Sequence, residues 1–92
     1  MAAKIEVEVV DASHFRVRVI EAESKSTHQV TLDPKYYVRL AGGAVKPQEL
    51  IRKSFEFLLQ HEPKESILKS FDLSVISRYF PEYEREIKKR FL

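Results

Sequence analysis

Thr27-His28-Gln29-Val30-Thr31-Leu32-Asp33-Pro34-Lys35-Tyr36-Tyr37 holds the change of structural type on which the fold turns. His28, Val30 and Leu32 alternate with Thr27, Gln29 and Thr31, the period of a strand with one buried face. Asp33-Pro34 is then a helix start: a carboxylate positioned to cap, followed by proline, whose fixed φ suits the first helical position. Before Asp33 the chain reads as antiparallel β. After Pro34 it reads as helix to the end.

On the N-terminal side, Ile5, Val7 and Val9 alternate with Lys4, Glu6 and Glu8, and Phe15, Val17 and Val19 with Arg16 and Arg18. Facing residues of a hairpin lie on the same side of the sheet. Setting Val9 opposite Phe15 therefore also sets Val7 opposite Val17 and Ile5 opposite Val19. The same register places Glu8 against Arg16 and Glu6 against Arg18, and a slip of one residue breaks both faces. For the next hairpin the expected partners are Val19 with His28, Val17 with Val30 and Phe15 with Leu32. The expected sheet is a three-stranded antiparallel meander with Glu6, Glu8, Arg16, Arg18, Gln29 and Thr31 on its polar face.

On the C-terminal side, a short helix through Tyr36, Tyr37 and Leu40 should end at Gly42-Gly43. Pro47 should start the next, in which Leu50, Ile51, Phe55, Leu58 and Leu59 recur at helical steps with Ser54 beside them. Beyond Pro63 the pattern predicts short helices. The first spans Lys64 to Lys69, with Ile67 and Leu68 inward. The second is capped by Asp72 and carries Leu73, Val75, Ile76 and Tyr79. The last starts at Pro81, with Tyr83, Ile87 and Phe91 on one stripe. The fold class is α+β in a single domain over residues 1–92: a meander in 1–33, packed on an amphipathic helix, with short C-terminal helices. Those last helices either wrap the same core or offer their stripe to another chain.

Ninety-two residues, 43% of them hydrophobic, support one modest core. Without cysteine there are no disulfides or thiolate metal sites, which fits a reducing cytosol. No apolar run approaches the roughly 20 residues of a membrane span, and Lys4, Glu6 and Glu8 interrupt the start where a signal peptide needs an apolar stretch. The expected location is the cytoplasm. The net charge of +2 is too small to imply nucleic acid by itself. It is uneven: residues 1–33 carry −2 and residues 34–92 carry +4. A solvated helix face with a basic last turn at Lys88-Lys89-Arg90 accounts for the excess.

No constellation demands chemistry. Asp11, Ser13 and His14 are the residue types of a hydrolase triad, but they crowd into one turn, where Asp and Ser are ordinary turn formers. His28 and His61 lack further ligands at metal spacing. Gly42-Gly43 lacks the lysine and spacing of a phosphate loop. No catalytic, cofactor-binding or metal-binding residues are assigned, no cofactor is expected, and the chain is read as non-enzymatic. Tyr36, Tyr37 and Arg39, with Phe80 and Tyr83, have the composition of a base-stacking surface, although aromatics at helical spacing more often form core.

Two resemblances add to this reading. The order from Thr27 to Leu59, a strand with polar outward residues, a short helix, a glycine turn and an amphipathic helix, resembles ribbon-helix-helix repressors and antitoxins. That resemblance implies a dimer whose paired strands read the major groove through Thr27, Gln29 and Thr31, with helix 47–61 in the dimer core. Here, however, the strand already has a hairpin partner in its own chain. The runs Glu49-Leu50-Ile51-Arg52-Lys53-Ser54-Phe55-Glu56-Phe57-Leu58-Leu59, Glu62-Pro63-Lys64-Glu65-Ser66-Ile67-Leu68, Phe71-Asp72-Leu73 and Tyr79-Phe80-Pro81-Glu82-Tyr83-Glu84 look like a group of small uncharacterised bacterial proteins. Val30-Thr31-Leu32 and Tyr36-Tyr37 share that likeness, which implies no activity or site. The leading expectation is a small protein-interaction module of a bacterial cytoplasm, binding a protein partner or itself through Tyr83, Ile87 and Phe91. The alternative is a DNA-binding regulator or antitoxin.

Overall fold

The computed structural model describes residues 3–91. Strands β1 (Lys4–Val9), β2 (His14–Ile20) and β3 (Lys25–Thr31) form the meander. The β1–β2 register is the expected one, with Val9 opposite Phe15, Val7 opposite Val17 and Ile5 opposite Val19. On the solvent face Arg16 meets Glu8 at 2.7 Å, and Arg18 lies 3.6 Å from Glu6 and 3.8 Å from Glu8. These half-exposed pairs each contribute little, at most about 1 kcal/mol.

The β2–β3 register differs from expectation by two residues. His28 stands opposite Val17, Val30 opposite Phe15 and Ser26 opposite Val19. The turn decides this: the Glu21 N–H donates to the Ser24 carbonyl at 2.8 Å, and Ile20 pairs with Lys25. A shift of two residues keeps every side chain on its own face, so the apolar pattern is blind to it. His28 and Val30 are buried as expected. Leu32 lies just past the strand end, still buried, with its N–H donating to the Ser13 carbonyl at 2.8 Å.

The sheet has a fourth strand. β4 (Ser70–Asp72) pairs parallel to β3, making a mixed sheet of order β1-β2-β3-β4 rather than a three-stranded antiparallel meander. Three residues are too few to show a period of two, so no sequence pattern marks them.

Helix α1 (Pro34–Ala41) starts as Asp33-Pro34 requires: the Asp33 carboxylate accepts the Lys35 N–H at 2.9 Å. It ends at Gly42, whose φ of 57° is left-handed, with the Gly42 N–H bonded to the Val38 carbonyl at 2.8 Å. A Cβ at Gly42 would meet only ordinary contact, 3.8 Å from that carbonyl. The cost of Gly42→Ala is thus conformational, an expected loss of about 1 kcal/mol in urea denaturation.

Helix α2 (Pro47–His61) buries Leu50, Ile51, Ser54, Phe55, Phe57 and Leu58. This set is wider than the expected stripe. Phe57 is buried and Leu59 only half-buried, because α2 is covered on two sides. Phe55 faces the sheet, its ring 5.3 Å from the His28 ring and 6.0 Å from that of Phe71. Phe57 faces the C-terminal part, 5.4 Å from the Tyr83 ring and 5.7 Å from that of Phe80.

After α2 come a 3-10 turn (Lys64–Ser66), β4, a second 3-10 turn (Leu73–Val75), and helices α3 (Ile76–Tyr79) and α4 (Tyr83–Lys89). Asp72 caps as expected, accepting the Ser74 N–H at 3.0 Å. The Lys64–Lys69 helix is reduced to that one 3-10 turn.

The C-terminal stripe is not an outer surface. Tyr83 and Ile87 are fully buried, and Phe91 is half-buried against the same core. The Tyr83 hydroxyl donates to Ser54 Oγ at 2.6 Å, while Ser54 donates to the Leu50 carbonyl at 2.7 Å. Burial pushes the Tyr83 hydroxyl well above the usual tyrosine range, so it stays a neutral donor. Glu84 ties α4 to α1 through the Tyr36 hydroxyl at 2.9 Å and Arg39 at 2.8 Å. The apolar residues of α2 left over by the sheet need a cover, and α4 supplies it.

Candidate functional site: an apolar groove beside the β4 edge

Between β4, the end of α2 and α3 lies an open groove of about 370 Å³. Leu58, Phe71, Ile76 and Phe80 line it, and Leu68 and Tyr79 stand at its rim. Leu68 is 47% exposed and Tyr79 66%, so both leave large apolar surfaces in water. Glu62 is the one charged side chain among the described lining residues. It is half-buried, and no ion pair engages it among the described residues.

Two buried polar anchors set the segment that forms this rim. Lys64 is almost fully buried, yet its ammonium donates to Glu21 at 2.6 Å, to Ser24 Oγ at 2.6 Å and to Glu65. All three of its protons are used, which is the condition for burying a cation. The carboxylates beside it raise the Lys64 pKa, and Lys64 lowers that of Glu65. These contacts fasten the 3-10 turn to the β2–β3 turn.

His28 is the second anchor. Its Nδ1–H donates to the Leu68 carbonyl at 2.8 Å, and Nε2 accepts from Ser26 Oγ at 2.8 Å. This tautomer follows from the carbonyl, which can only accept. Burial lowers the His28 pKa, and the charge of Lys69 lowers it further, against the opposing pull of the Leu68 carbonyl. Ile67 is extended, with φ −75° and ψ 133°. Neighbouring side chains of an extended segment point to opposite sides, so a buried Ile67 leaves Leu68 outward. The expected inward Leu68 assumed a helix that is not formed.

β4 is an edge strand. The Gln29 N–H donates to the Lys69 carbonyl at 2.7 Å, and Phe71 stands opposite Val30. Backbone groups alternate along a strand, so those of Ser70 and Asp72 point away from β3, toward the open side. Phe71 directs its ring toward α2 and into the groove. Sequence reading missed this site because its parts come from separate segments, the end of α2 and the stretches 66–68, 71 and 75–80, and no local spacing records how these meet. The apolar pair Leu68 and Tyr79 carried a signal, but the helical reading of 64–69 turned Leu68 inward, and the helix that does carry Tyr79 gives no sign that this residue is left uncovered.

The other candidate residues are not brought together. Thr27 and Gln29 are exposed and Thr31 half-exposed on β3, which is paired on both edges by β2 and β4. The pairing with β4 covers Gln29, Val30 and Thr31, so that stretch of β3 is not an open edge. Asp11 accepts from the Ser13 N–H at 2.9 Å and from His14 Nδ1 at 2.8 Å. These contacts, with the Ser13 bond first, hold its carboxyl below the usual range. The bonds shape an exposed turn, and Ser13 meets Asp11 through its backbone. Tyr37 donates to the Val45 carbonyl, and Tyr36 is held by Glu84 and lies under Arg39. Phe80 packs in a three-ring cluster with Phe57 and His61, which also touch each other. Among the described residues no group of three His, Cys, Asp or Glu side chains could hold a metal, and no helix is long and apolar enough to cross a membrane. Compared with models of protein families, with curated proteins and with solved structures, the chain matches none of them.

Proposed function

We propose that the chain is a small non-enzymatic protein-interaction module of a bacterial cytoplasm, and that the groove beside β4 is its docking surface. The observation that carries this reading is the placement of Leu68 and Tyr79, both solvent-exposed, on the rim of an apolar groove. Exposed apolar side chains scattered singly need no explanation, whereas a pair bounding one concave apolar surface marks a place where burial by a partner is favourable. The chemistry of the lining points the same way. An enzyme pocket of this volume converges several polar or titratable groups on one point. Here the lining offers the Glu62 carboxylate and the hydroxyls of Ser66 and Tyr79 against a carbon surface.

Leu68→Glu tests the reading. The side chain is exposed, so the fold should lose no more than about 0.5 kcal/mol. Wild type and variant are immobilised in parallel and exposed to an extract of the source cells. A protein retained by the wild type and released by the variant, and then binding the purified wild type at one-to-one stoichiometry, is the expected result. Retention of the same proteins by both would remove the groove from the interaction.

A further inference from the structure

Resting on that reading, we infer that the groove takes an extended segment of a partner protein, added as a fifth strand to the outer edge of β4. That segment carries apolar side chains at alternate positions and a lysine or arginine that meets Glu62. Three observations converge on this occupant. Both backbone groups of Ser70 and the N–H of Asp72 face the open side of the sheet, a template for a further strand, while the Asp72 carbonyl serves the 3-10 turn that follows. The groove borders β4 through Phe71 and lies on the side of the sheet that α2 covers, as Leu58 in its lining shows. Every second side chain of an added strand would point to that side, and so into the groove. Glu62 is the one charge among the described lining residues and has no ion-pair partner among them, so a cation among apolar side chains complements it.

The strand is only three residues long. Few backbone hydrogen bonds are therefore on offer, and the apolar side chains must supply most of the affinity. This makes the side-chain pattern of the occupant, rather than backbone pairing alone, the specific element. A helical occupant would leave the outward groups of Ser70 and the Asp72 N–H unused and would place its apolar residues three and four apart.

The test pans a phage library of random 12-residue peptides against the full chain. Enriched sequences are synthesised with a fluorescein label and titrated by anisotropy against wild type, Leu68→Glu and Glu62→Lys. The expected peptides alternate apolar residues and carry lysine or arginine. They should bind Glu62→Lys at least tenfold more weakly, and changing the peptide's basic residue to glutamate should restore binding to that variant. Methylating alternate backbone nitrogens of the peptide should abolish binding in one phase and leave it intact in the other, since only one set of amides faces β4. Enriched peptides with helical spacing, or binding unaffected by methylation in either phase but lost in Leu68→Glu, would overturn the added strand while leaving the groove as a docking surface. Binding equal in wild type and Glu62→Lys would overturn the role of Glu62. Binding unchanged by Leu68→Glu, or no enrichment at all, would overturn both the strand and the groove.

Discussion

Ile87→Asp should leave little folded protein. Ile87 is fully buried in α4, in the same cluster as Tyr83, Leu50 and Phe57. An aspartate there must either ionise without a partner or stay protonated in an apolar site, and the cavity left by the shorter side chain adds to the cost. Losses of about 4 kcal/mol or more belong to this mechanism, against a total stability of about 5–14 kcal/mol for a chain of this length. The urea midpoint should fall by about 30% or more, or the cooperative transition should vanish from far-UV circular dichroism. Ile87→Ala, which only removes carbon, should cost about 2–5 kcal/mol. Val38→Asp on α1, where the residue is 61% exposed, should stay within about 0.5 kcal/mol and serves as the control. A wild-type transition in Ile87→Asp, with only the association state altered, would show that α4 is an outer surface and that the packing described above is incorrect.

The second large effect is a dependence of stability on pH centred on His28. In the folded chain burial holds His28 neutral, with its pKa below the ordinary value of 6.5, whereas the unfolded chain takes up a proton near that value. Between the two values the unfolded state binds more protons, so stability rises with pH through that window. The contribution is complete above pH 6.5 and is lost as pH falls toward the depressed folded value. The limiting slope for one group is about 1.4 kcal/mol per pH unit, so the wild type should lose stability between pH 7.5 and 5.5 by no more than about 1.4 kcal/mol. His28→Asn can keep an N–H toward the Leu68 carbonyl but cannot titrate. Urea transitions at the two pH values should show a drop in the wild type that this variant lacks. Equal drops in both would place the titrating group elsewhere. Protonation at Nε2 leaves the Nδ1–H bond to the Leu68 carbonyl in place and removes the acceptor that Ser26 Oγ uses, so the loss arises from burying the charge and not from release of Leu68.

Where one short-range rule decides, the residues alone were sufficient. Asp33-Pro34 starts α1, Gly42 stops it in the left-handed conformation, and Pro47 opens α2 at the expected residue. The β1–β2 register followed because two constraints, the apolar face and the charge pairs, agreed on it. The β2–β3 register did not, because two registers two residues apart satisfy the same faces and only the Glu21–Ser24 turn separates them. His28 was legible as inward-facing, but its bond to Leu68 joins residues 40 positions apart and leaves no trace in local spacing.

The sequence by itself determined the α+β class, the change from strand to helix at residue 33, the main helix and the first hairpin. Each of these rests on contacts between near neighbours or on the conformational limits of single residues. Tertiary structure alone decided the fourth strand, the turning inward of Tyr83 and Ile87, the burial of Lys64 and the groove. An apolar stripe records only that a helix face wants cover. Whether its own chain or another supplies that cover depends on how much apolar surface the rest of the fold leaves open. Here α2 exposes Phe57 on the side away from the sheet, and α4 closes over it, while Leu68 and Tyr79 remain uncovered at the β4 edge.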